Sequence, residues 1–137
     1  MLKKISVVLL SALVLVYCWG VTASPVFAKY SSEYEVYQKS NSSNATITTV
    51  SKREYAKLLY KYGESCVVEK DDFSVDSLFK DFNAKLVWIE KTSYGTSYYA
   101  YSPKIKYSKL MFNKKVNLQV FIGEQIKLGT PIIYGSY

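Results

Sequence analysis

Val116-Asn117-Leu118-Gln119-Val120-Phe121-Ile122 sets Val116, Leu118, Val120 and Ile122 in alternation with Asn117, Gln119 and Phe121. A side-chain period of two is the pattern of a strand with one face turned to a core. Turn-forming residues bound it: Asn113-Lys114-Lys115 before and Gly123-Glu124-Gln125 after. Strand-forming segments recur outside those turns. Upstream they are Ile105 to Phe112, Ser97 to Tyr101, and Leu86 to Glu90, the last apolar on both sides and so expected at a sheet centre. Ser93-Tyr94-Gly95-Thr96 supplies a turn between two of them, and Ser102-Pro103 a stop. Downstream come Ile126 to Leu128 and Ile132 to Tyr134, separated by Gly129-Thr130-Pro131. Short loops between consecutive strands favour an antiparallel meander, here of about four to six strands.

Helices precede this region. Ser51-Lys52-Arg53-Glu54 is a capping box, in which the serine hydroxyl accepts the N3 amide and the glutamate reaches back to the cap amide. Tyr55, Leu58, Leu59 and Tyr62 then fall on one helical face, and Gly63 stands where a left-handed end residue is wanted. Lys52, Arg53, Lys57 and Lys61 ride the opposite side. Cys66-Val67-Val68 reads as a short strand, followed by the charged turn Glu69-Lys70-Asp71-Asp72. Ser74 is the next N-cap, with Phe73 placed to staple onto Leu78, Asp76 suited to the positive helix start, and Asn83 at the end of a helix from Val75 to Phe82. Thr46 to Val50 is β-branched and reads as a first strand. The fold class expected is α+β: the antiparallel meander with two short helices on one face, in a single domain over residues 45–137.

The chain begins with a basic Met1-Leu2-Lys3-Lys4 and an apolar run from Ile5 to Val16, and Val26-Phe27-Ala28 fits the small-x-small cleavage rule. Residues 1–28 are read as a signal peptide cut after Ala28, leaving Lys29 as the new N-terminus. An uncleaved membrane anchor is the alternative, because Ile5 to Ala23 approaches the roughly 20 residues that span a bilayer. Tyr17 is too bulky for a lipidation site at Cys18. Residues 29–44, rich in Ser, Asn and Tyr, read as a flexible arm. Sequons stand at Asn41 and Asn44, but the two-lysine leader looks bacterial and gives them little weight. Beyond the leader only Cys66 remains, so an intrachain disulfide is excluded and the domain rests on its core.

Three stretches in order resemble a known family: Ser97-Tyr98-Tyr99-Ala100-Tyr101-Ser102-Pro103-Lys104-Ile105, Lys114-Lys115-Val116-Asn117-Leu118-Gln119-Val120, and Leu128-Gly129-Thr130-Pro131-Ile132-Ile133-Tyr134. Together they resemble the end of the YwmB family, small secreted proteins of endospore-forming bacteria whose fold is likened to the TATA-box-binding protein. The likeness covers about Asp76 to Tyr137, and the chain has room for only one of that family's two repeats. It implies an α+β unit with a curved antiparallel sheet, no catalytic residues, and a link to sporulation; the fold label is no evidence for DNA binding.

The chain has no histidine, which removes the commonest general base and metal ligand and any Ser-His-Asp or Cys-His arrangement. Cys66 reads as a small core residue. Glu69, Asp71 and Asp72 lack the spacing of a calcium loop and read as a solvated turn. Glu90 and Glu124 form the candidate pair for a hydrolase, with nothing in the sequence to bring them together. No catalytic residue, metal site or cofactor is assigned. Charge is uneven: eight lysines against Glu90 and Glu124 follow Ala84, a local +6, while residues 29–84 carry −1. Tyrosine is abundant, with 14 in the chain. Tyr99, Tyr101, Lys104 and Lys106 are therefore the candidate surface for an anionic partner, by stacking and charge; a solvated basic face accounts for the same lysines. The function expected is a secreted or envelope-associated, non-enzymatic binding or accessory protein of a Gram-positive bacterium, facing an anionic wall polymer or membrane surface rather than nucleic acid. The alternative is a carboxylate-dependent hydrolase of cell-wall polymer, and a third option is a protein partner held at a sheet edge.

Overall fold

The computed structural model describes residues 1–22, 24–39 and 45–134. In chain order the elements are α1 (Leu2–Thr22), β1 (Glu33–Lys39), β2 (Ala45–Ser51), α2 (Lys52–Tyr55), β3 (Gly63–Val67), α3 (Val75–Phe82), β4 (Lys85–Thr92), β5 (Gly95–Tyr101), β6 (Lys109–Met111), β7 (Lys114–Val116), β8 (Leu118–Ile122) and β9 (Ile126–Thr130). Seven strands form one sheet in the order β2-β1-β3-β9-β8-β5-β4, and β6 and β7 form a separate hairpin. Every pairing is antiparallel. The fold is α+β as expected, with more strands than the four to six of the meander. The added strands belong to the amino-terminal half, which joins the carboxy-terminal half through the long-range pair β3–β9.

One face of the sheet carries the main core. Cys66, Leu128, Val120 and Tyr98 stand in register across β3, β9, β8 and β5. Tyr55 of α2 and Leu78 of α3 belong to the same apolar cluster, together with Phe27, Tyr34, Val36 and Leu118. Both helices are thus held by the side chains they insert into one core. The capping box at Ser51 and Glu54 is formed, Ser74 accepts the Ser77 amide, and Asn83 ends α3 in the left-handed region at φ 49°. Burial pushes the Cys66 thiol far up, so it stays protonated among apolar neighbours.

Several expectations are corrected. The arm expected over residues 29–44 is ordered sheet through Lys39: Tyr34, Val36 and Tyr37 are buried in β1. Tyr34 and Val36 alternate with glutamates, a strand period hidden by the polar composition around it. Residues 40–44, with both sequon asparagines, lie outside the described residues. The helix after Ser51 is a single turn, and Leu59 and Tyr62 are exposed. The Tyr62 amide donates to the Tyr37 carbonyl at 2.8 Å, returning the chain to the sheet. Gly63 opens β3, where a side chain would meet the Thr130 carbonyl, so close approach rather than helix termination requires the glycine. β4 lies at the sheet edge, not the centre, with Leu86 and Ile89 exposed. The strand expected from Ile105 shrinks to β6, and residues 132–134 are not a strand; Ile133 instead packs over Gly129 on the second face.

The stretch from Val116 to Ile122 divides at Asn117. Its side chain is buried, accepts the Ser102 amide at 2.7 Å and donates to the Ser102 and Ile105 carbonyls at 2.7 and 3.1 Å. Asn117 thereby supplies the bonds a ladder would give where the chain passes from one sheet to the other. β8 is buried on both faces rather than one: Gln119 is as enclosed as Leu118 and Val120.

Candidate anion-binding surface

The second face of the sheet has a continuous row of opposed residues, Thr49, Glu35, Ser65, Gly129, Gln119, Tyr99 and Trp88, crossing all seven strands. Polar members of the row are satisfied laterally. Ser65 Oγ donates to Glu35 at 2.9 Å, Gln119 donates to Ser97 Oγ at 3.2 Å and accepts the Ile133 amide at 2.8 Å, and Tyr99 donates to Glu90 at 3.0 Å. Tyr99 is only 5% exposed. Its ring is structural, which removes it from the expected surface.

At the end of this row aromatic rings reach the surface. Trp88 lies 4.4 Å from Tyr99 and 4.7 Å from Phe112, centroid to centroid. Phe112 sits in the β6–β7 turn, 81% exposed, and Leu110 beside it is 69% exposed. Phe112 and Asn113 take φ 48° and 62°. Both central residues of this two-residue turn are left-handed, the twist a tight hairpin needs. Asn113 suits that region; a bulky Phe is out of place there. Lys109, Lys114 and Lys115 are exposed on the same hairpin, and Lys109 Nζ lies 5.3 Å from the centre of the Tyr134 ring. Leu110 and Lys115 are opposed on one face of the hairpin, and Lys109 and Lys114 lie on the other with Met111 and Val116.

The other expected residues are elsewhere. Tyr101 is half-buried. Lys104 and Lys106 are exposed on either side of buried Ile105, but both lie in the loop between β5 and β6, where strand alternation does not set their directions. Lys104 Nζ donates to the Asp81 carbonyl at 2.9 Å, in the last turn of α3, where a cation meets the negative helix end. Lys106 neighbours Lys61, whose ammonium is pushed below its usual range first by burial and further by that lysine. The sequence missed Trp88, Leu110, Phe112, Lys114 and Lys115. The available signal was the apolar Leu110-Met111-Phe112 run abutting a polar turn.

A shallow cleft is lined by Glu33, Glu35, Glu69, Tyr34, Cys66 and Lys127, among others. Glu69 accepts the Ser32 hydroxyl at 2.9 Å, and Glu35 is paired with Lys127 at 3.4 Å. Glu124 is exposed in the β8–β9 turn, whereas Glu90 is taken by Tyr99. Among the described residues no group of three acidic or cysteine side chains is arranged to hold a metal ion, and no helix is long and apolar enough to cross a membrane. Compared with family models, with curated proteins and with solved structures, the chain matches none.

Proposed function

We propose that this chain is an exported, envelope-associated, non-enzymatic binding domain whose β6–β7 hairpin meets an anionic lipid surface. The observation that carries the reading is Phe112: an exposed aromatic in a strained backbone conformation, beside exposed Leu110 and three lysines. Strain of this kind is retained where the side chain has a use. Lysines near an anionic leaflet contribute about 1 kcal/mol each, and burying a Leu or Phe about 1.5–3 kcal/mol. Leu110 favours lipid over wall polymer, since an aliphatic side chain gains from hydrocarbon and has nothing to offer a phosphate. The basic amino-terminal start and apolar run support export. The resemblance to the YwmB family would place the domain in endospore formers.

The test is co-sedimentation of the exported protein with phosphatidylglycerol vesicles, phosphatidylcholine vesicles and purified wall polymer at rising salt. Salt-sensitive binding to the anionic vesicles is expected. Binding confined to wall polymer would replace the lipid by the polymer.

A second reading, a wall-polymer hydrolase, draws on the cleft of Glu33, Glu35 and Glu69. The carboxylates of Glu35 and Glu69 are engaged by Ser31, Ser32, Ser65 and Lys127. Release of soluble fragments from purified wall, lost in Glu35→Gln, would establish it.

A further inference from the structure

We propose that Pro25–Ala28 is a permanent part of the folded domain, so that any removal of the leader breaks the chain before Pro25 and not after Ala28. Phe27 is 0% exposed and lies in the main core cluster, edge-on to Phe82 of α3 at 6.0 Å between centroids. Pro25 is buried beside it. Two successive turns wrap the segment: the Ala28 amide donates to the Pro25 carbonyl at 3.3 Å and the Tyr30 amide to the Phe27 carbonyl at 2.9 Å. Lys29 and the Tyr30 hydroxyl both hold Asp81 at 2.6 Å, tying the end of the segment to α3.

Polar contacts give the same result. Glu64 is 0% exposed on the core face, between Val36 on β1 and Thr130 on β9. Its Oε1 accepts the Phe27 amide at 3.1 Å, while Oε2 has no hydrogen-bonding partner among the described residues. Removing Pro25–Ala28 would take away that donor and leave a phenyl-sized hole next to a buried carboxyl. Each loss is costly by itself. A sequence that fills this hole with its own residue 27 is built to keep it.

Upstream, Val21-Thr22-Ala23 fits the cleavage rule on the same terms as Val26-Phe27-Ala28. Hydrolysis before Pro25 adds one water across the peptide bond, leaving a carboxylate on the leader and a new α-amino group on the domain. Removal of the leader presupposes the export reading; the packing of Phe27 does not.

The test takes the protein from the producing cell, wild type and Phe27→Ala, both from full-length genes. Intact mass and amino-terminal sequencing of the exported wild type should find residues 25–28 present. The Phe27→Ala protein should melt lower by roughly 10 °C or more, as truncation of a buried Phe in a small domain implies, and Phe27→Leu by less. An exported chain beginning at Lys29, or equal melting of wild type and Phe27→Ala, overturns the proposal. If Phe27→Ala yields no folded protein, the wild-type mass and the Phe27→Leu melt still decide. Protein found only inside the cell with Met1 in place would end the export reading, and the melting comparison would still judge the segment.

Discussion

Trp88 and Phe112 pack with their ring centroids 4.7 Å apart and their planes inclined by 59°, linking the edge strand of the sheet to the tip of a separate hairpin. Trp88 in turn packs on Tyr99, 4.4 Å away, whose hydroxyl is held by Glu90. The exposed ring is thus backed by a fixed one, and the hairpin presents Phe112 from a rigid support.

That arrangement predicts a separation of stability from binding. Phe112→Asn relieves about 1–2 kcal/mol of left-handed strain and forfeits about 0.5–1.5 kcal/mol of aromatic stacking. The two nearly cancel, so thermal melting of the variant should stay within a few degrees of wild type. A large drop in melting temperature would make Phe112 a structural residue.

Glu64 predicts a pH dependence. Burial raises its carboxyl above the usual value of 4.5, outweighing its hydrogen bonds, which pull it down. The folded state therefore holds the proton more tightly than the unfolded chain. This contribution to stability is fully present below pH 4.5 and is lost as pH rises through the folded-state value. Glu64→Gln removes the titration, so its melting temperature should gain on wild type as pH rises above 4.5. Parallel curves for the two proteins would contradict the assignment.

Cys66 is 2% exposed and its thiol is kept protonated by burial, with Glu64 and Glu69 adding to the effect. Native protein should resist iodoacetamide at Cys66 at pH 8 and react once unfolded in urea, read by peptide mass. Cys66→Ser should cost on the order of 1 kcal/mol in urea titration.

Asn117 predicts the largest local effect. Asn117→Leu is similar in size but strands the Ser102 amide and the Ser102 and Ile105 carbonyls. At roughly 1–3 kcal/mol for each unpaired buried group, it should lower stability by about 3 kcal/mol or more in urea titration. A loss under 1 kcal/mol would mean that water replaces the amide.

Local signals survived from sequence to structure where a few adjacent residues decide the geometry. The Ser51–Glu54 box, the Ser74 cap and the Asn83 helix end are of this kind. Features decided by distant partners did not survive. Tyr55, Leu58, Leu59 and Tyr62 have helical spacing, but only the first stays helical because Tyr62 is claimed by Tyr37 on β1. The β1 strand was invisible because its partners β2 and β3, not its composition, stabilise it. Leu86 to Glu90 looked central because apolar residues occur on both faces, yet the edge position follows from which strands pair with β5. The candidate surface split for the same reason. Tyr99 was drawn inward by Glu90 and Trp88, and the exposed Lys104 was held at the end of α3.

If the β6–β7 hairpin meets an anionic surface, its lysines must contribute to binding. Exported wild-type protein and Lys114→Gln/Lys115→Gln would be titrated with vesicles of equal parts phosphatidylglycerol and phosphatidylcholine, with α1 or its absence identical in both. At about 1 kcal/mol per lysine, the double variant should bind roughly 30-fold more weakly at low salt, and the gap should close as salt screens the charges. Equal binding of the two proteins at low salt would contradict the site.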